Sequence, residues 1–165
     1  MKPRNQKTLF LARAALIAAF YVVLTYFSAA LGLSGQNAIQ LRLSEALCIL
    51  PYFTASAVPG VTVGCLLANL LTGAHPIDVI CGTLATLLGA VGTLLLKKWR
   101  FLAPLPPILA NTLIIPFVLR YAYLTTDVGL PYLFLTVGIG EVLSVGVVGM
   151  ILLFALQKHR NRLFD

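Results

Sequence analysis

Residues 43 to 73 read LSEALCILPYFTASAVPGVTVGCLLANLLTG. A membrane-spanning helix takes about 20 apolar residues, so this run is too long for one span and too short for two. Pro59-Gly60 is a turn signal inside it, and the reading is two short helices, at about 43–58 and 61–73. Helices of that length stand upright, thin the bilayer or stop short of full depth inside a bundle. Interrupted spans of this kind are often the ones that line binding cavities.

Working outward, apolar runs at about 9–31, 77–96, 108–123 and 132–156 complete a set of six. Hydrophobic residues make up 59 % of the 165 and charged residues only 10 %, with a mean hydropathy of +0.95. A soluble domain carries about a quarter charged residues. The expectation is an all-α integral membrane protein, a six-transmembrane-helix bundle in a single domain over 1–165. Six spans use up the chain and leave no room for a separate catalytic or nucleotide-binding domain.

The net charge of +7 would point to nucleic acid in a soluble protein. Here Lys2, Arg4, Lys7, the Lys97-Lys98-Trp99-Arg100 loop and the Lys158 to Arg162 tail all flank apolar runs. Six spans put them on one side, so the positive-inside rule explains the charge, places both termini in the cytoplasm and removes the case for nucleic acid. Met1 to Lys7 with Ser28-Ala29-Ala30 imitates a signal peptide, but the run exceeds an h-region of about 7 to 15 residues and Arg13 interrupts it. A retained first helix is expected.

In this topology Glu45, Asp78, Asp127 and Glu141 fall in the outer half. A charge in hydrocarbon costs about 2.5 to 3.5 kcal/mol even on lenient insertion scales, so such groups face a cavity or a partner. Glu141 lies deepest, about ten residues or on the order of 15 Å inside the sixth span; ligand contact and an ion pair with Arg120 are its two readings. Glu45 either contacts ligand or pairs with Arg42 three residues earlier on the surface. Asp78 is a ligand contact or a helix cap. Asn69 is placed for an outer cavity and Asn111 for a structural hydrogen bond between helices. The candidate substrate-binding set is therefore Glu45, Asn69, Asp78, Arg120 and Glu141. Tyr26, Phe27, Tyr121, Tyr123 and Tyr132 read as an interfacial aromatic belt.

No HExxH, GxSxG, paired-carboxylate or phosphate-cradling motif is present, so no catalytic residue is assigned and the chain is not read as an enzyme. His75 has no companion at metal-ligand spacing, and Cys48, Cys65 and Cys81 read as packing residues. Ala14 with Ala18, and Ala15 with Ala19, form two small-xxx-small pairs that admit a close helix neighbour. Carboxylates with amides and aromatics in one outer pocket suit a flat, hydrogen-bond-donating or cationic small molecule.

LRLSEAL at 41–47, VPG at 58–60, GCLLAN at 64–69, APLPP at 103–107 and VGIGE at 137–141 together resemble the QueT family. These are substrate-binding S components of energy-coupling factor (ECF) transporters, proposed to import queuosine precursors. The resemblance implies a multi-pass protein of the bacterial plasma membrane that captures a 7-deazaguanine base from outside with high affinity. It implies as partners a transmembrane coupling protein and two ATPase subunits, which hydrolyse the ATP, so the chain itself needs no cofactor. The Ala14, Ala15, Ala18, Ala19 face resembles the docking motif of S components, and the Gly32 to Gln40 loop would cap the pocket. Riboflavin, folate or thiamine S components, a non-transporting structural subunit and a small proton-coupled carrier remain open at this point.

Overall fold

The computed structural model describes residues 6–33, 41–124 and 127–159. The amino-terminal basic residues Lys2 and Arg4, most of the expected capping loop at 34–40, and the Arg160 and Arg162 part of the tail lie outside them. Helices form α1 (Gln6–Ala30), a 3₁₀ helix (Leu43–Tyr52), α2 (Ala57–Leu71), α3 (Pro76–Leu95), α4 (Leu105–Tyr121), α5 (Leu130–Glu141), a π segment (Val142–Gly149) and α6 (Met150–Gln157). No strand occurs among the described residues. The π segment joins α5 and α6 into one rod, Leu130–Gln157, which with α1 and α3 is long and apolar enough to cross a membrane. The other three helices are shorter and also apolar.

The break in the 43–73 run falls at residues 53–56, not at Pro59-Gly60. Pro59 sits in the first turn of α2, where its missing N–H is one the helix leaves unpaired anyway, so it starts the helix instead of dividing it. The preceding 3₁₀ helix is short because it is central. Ser44 through Pro51 are all buried, packed among α1, α2, α3, the π segment and α6. Ten residues at about 2.0 Å each reach about 20 Å, short of a hydrocarbon core of about 30 Å, and protein rather than lipid surrounds them.

The outer helices are apolar on the outside. In α3, Ile77, Ile80, Leu84, Leu88, Val91 and Leu95 are exposed, a stripe at three- and four-residue spacing. Its buried face carries Asp78, Gly82, Ala85, Thr86, Gly89 and Thr93. Water would invert that arrangement; lipid favours it, because small and polar residues supply the packing and hydrogen bonds between helices. The APLPP segment explains the glycines: a Cβ on Gly89 would lie 2.6 Å from Pro107 Cα, and one on Gly92 2.4 Å from Pro106 Cβ. Thr93 Oγ1 ties the same seam by donating to the Ala103 carbonyl at 2.9 Å. Pro116 is buried inside α4 without ending it.

α1 packs on α2 in the same way. Cβ atoms on Gly60 and Gly64 would meet Ile17 at 2.9 Å and Tyr21 at 2.6 Å. Ala18 is buried at this contact, whereas Ala15 and Ala19 are exposed. The alanine face therefore divides: the Ala14 and Ala18 pair serves the bundle, and only Ala15 and Ala19 are available to a partner.

Candidate functional site

α1 and α2 both end in a turn closed by a glycine with φ of +70°, Gly32 and Gly73. In the second, Gly73 N–H donates to the Leu70 carbonyl at 3.2 Å and Ala74 N–H to the Asn69 carbonyl at 2.9 Å, a helix stop that a side-chain-bearing residue adopts only with strain. His75 caps α3, its Nδ1 accepting from Ile77 N–H at 3.3 Å. These stops leave a cavity of about 290 Å³ at the end of the bundle where α1, α2 and α4 finish and α3 begins. That is near the low end for small-molecule pockets, and it lies at the opposite end from Lys97, Lys98, Arg100 and Lys158.

Tyr21, Arg42, Ser44, Asn69, Asp78 and Tyr123 give the cavity its polar lining. Asp78 is 4 % exposed. Its Oδ2 accepts from the Tyr123 hydroxyl at 2.9 Å, and its Oδ1 is buried with no hydrogen-bond partner among the described residues. The Tyr123 oxygen in turn accepts from His75 N–H at 3.1 Å. Burial opposes the charge on Arg42, yet Asp78 and then Glu45 outweigh it and keep the guanidinium protonated. Among the described residues, Asn69 Nδ2 has only a weak contact to Cys65 Sγ at 3.6 Å. The Ser44 hydroxyl is buried and unpartnered among the described residues.

A second polar layer lies under the cavity floor. Glu45, 2 % exposed, accepts from the Tyr21 hydroxyl, from Cys48 Sγ at 3.3 Å and from Asn111 Nδ2 at 3.3 Å. The Asn111 amide and the Glu45 carboxylate also act on Glu141, which is 7 % exposed and whose Oε2 has no partner among the described residues. Glu141 ends α5 where the π segment begins; inserted π turns often mark functional positions.

A model described as the QueT transporter matches residues 11–158. The chain belongs to the QueT transporter family. Among curated proteins, the queuosine precursor transporter QueT of Lactococcus lactis subsp. cremoris (strain MG1363) is 34 % identical over 98 residues, 59 % of this chain and 57 % of that protein. The alignment thus spans little more than half of either chain. No solved structure matches.

As a QueT family member with long apolar helices, the chain is a multi-pass membrane protein. Of the residues singled out from sequence, Asn69 and Asp78 meet in the cavity. Glu45 and Glu141 sit one layer deeper. Arg120 stands apart near the mouth, its Nη1 donating to the Val128 carbonyl at 3.2 Å, and the groups acting on Glu141 are Glu45, Asn111 and Arg42 instead. Glu45 is buried and so is no surface partner of Arg42; Asp78 stands in the first turn of α3, where an acid suits the helix dipole, while His75 is the capping residue. Asn111 does make the expected interhelical hydrogen bond. Tyr121 and Tyr132 fit the aromatic belt by their exposure, but Tyr123 turns its hydroxyl inward. Tyr21 and Ser44 were not singled out; a tyrosine in the middle of an apolar helix was the available signal, since its buried hydroxyl requires a partner.

Proposed function

We propose that this chain is the substrate-binding S component of an ECF importer in a bacterial plasma membrane, and that it captures a queuosine precursor, a 7-deazaguanine base, from outside. The observation that carries the reading is a QueT family chain with a polar cavity at the end opposite Lys97, Lys98, Arg100 and Lys158. With all six helices in the membrane and both termini cytoplasmic, the positive-inside rule turns that cavity outward. Its volume suits a single base better than a larger vitamin conjugate. Asp78 and Asn69 are the direct contacts, Glu45 and Glu141 hold the floor, and Arg120 holds the loop beside the mouth.

Capture becomes transport when a transmembrane coupling protein and two ATPases reorient the loaded chain; the exposed Ala15 and Ala19 on α1 offer that partner a close approach. The buried Glu141 oxygen beside Glu45 favours a second reading, a small carrier that moves a proton with its substrate. Proteoliposomes separate the two. Uptake of labelled 7-deazaguanine only when coupling protein, ATPases and ATP are present supports the S component. Uptake by the chain alone, driven by a pH gradient, rejects it for the carrier.

A further inference from the structure

The cavity holds opposite charges in one small space. Asp78 presents a buried carboxylate oxygen without a partner, and the strongest charge acting on the Arg42 guanidinium, which also lines the cavity, is that of Asp78. Asn69 Nδ2 and Asp78 Oδ1 converge over Gly82: a Cβ there would lie 3.3 Å from each. A side chain on this buried glycine of α3 would press on both groups.

A ligand for this site must offer donors to the carboxylate and, next to them, an acceptor to the guanidinium. An isolated ammonium meets only half of that, since the cation that Asp78 would attract is one that Arg42 repels. A guanine-type edge meets all of it, with ring N1–H and the 2-amino group as adjacent donors and O6 as the neighbouring acceptor. The Tyr123 bond does not exhaust the carboxylate, which has about four lone-pair positions over its two oxygens.

Building on the proposed capture of a 7-deazaguanine, we infer that Asp78 and Arg42 read the N1–H, 2-amino and O6 edge of the base, so that selectivity resides in this edge and not in the substituent at position 7. Asp78 is the acceptor and Arg42 the donor to O6. Adenine-type rings fail because they turn a donor to Arg42 and an unprotonated N1 to Asp78.

Calorimetric titration of the purified full-length chain with 7-deazaguanine, 7-deazahypoxanthine and 7-deazaadenine tests this. The expected result is binding of 7-deazaguanine, with at least about tenfold weaker binding of the analogue lacking the 2-amino group and of the adenine type, because each strands a buried polar group of the site. Asp78→Asn is expected to weaken 7-deazaguanine binding by about tenfold or more and to erase the preference over 7-deazahypoxanthine. The wild-type analogue series stands by itself if the variant does not fold. Equal affinity for 7-deazaguanine and 7-deazahypoxanthine, or unchanged affinity in folded Asp78→Asn, overturns the inference while leaving capture intact. A wild-type chain that binds none of the three overturns both.

Discussion

At the scale of single residues, the polar groups of this bundle are divided between those a ligand can reach and those that hold the bundle together. Tyr123 belongs to the first group, and Tyr123→Phe removes the donor to Asp78 and the acceptor for His75 N–H. The expected cost to base affinity is about 0.5 to 1.5 kcal/mol, read by titration. Glu45 belongs to the second. Glu45→Ala strands the Tyr21 hydroxyl and the Asn111 amide, each at about 1 to 3 kcal/mol, and a melting temperature lower by several degrees in detergent is the expected outcome. That buried polar residues cluster was legible in the sequence from their cost in lipid, and Asn69 and Asp78, singled out on that ground, both line the cavity. Which layer each occupies was not, because depth along a helix says nothing about rotation around it: Glu141, the strongest reading from sequence, faces the floor cluster and not the cavity.

At the scale of the helix, small residues decide which pairs approach closely, and the two alanine registers of α1 make separable tests. Ala18→Leu introduces bulk against Gly64 and is expected to destabilise the isolated protein by about 1 to 3 kcal/mol, the usual cost of overpacking. Ala15→Leu points away from the bundle and should leave the melting temperature unchanged while reducing co-purification with the coupling protein; an undiminished yield removes this face from docking. On the seam of α3 with α4, Gly89→Ala drives a methyl into the Pro107 backbone and is expected to lower stability by a similar amount. The six helices were legible from apolar runs, with boundaries shifted by a few residues. The 3₁₀ and π segments were not, since both depend on neighbours: one is a short central strut enclosed by protein, the other a glycine- and valine-rich stretch, VLSVGVVG, whose weak helix preference lets packing set its pitch.

At the scale of the whole molecule, the account rests on polarity: Lys97, Lys98, Arg100 and Lys158 at one end, a cavity lined by Arg42, Asn69 and Asp78 at the other. With the native cysteines replaced, a cysteine at Lys98 should resist a membrane-impermeant thiol reagent added to intact cells, and one at Val128 should react; the reverse pattern would turn the cavity toward the cytoplasm. The central claim is that the cavity captures a 7-deazaguanine. Its most direct test is native mass spectrometry of the chain purified from cells supplied with a queuosine precursor, identifying the small molecule released on denaturation. One 7-deazaguanine per chain is the expected result. A chain that leaves the membrane empty and takes up no added base, or that releases a vitamin instead, would contradict it.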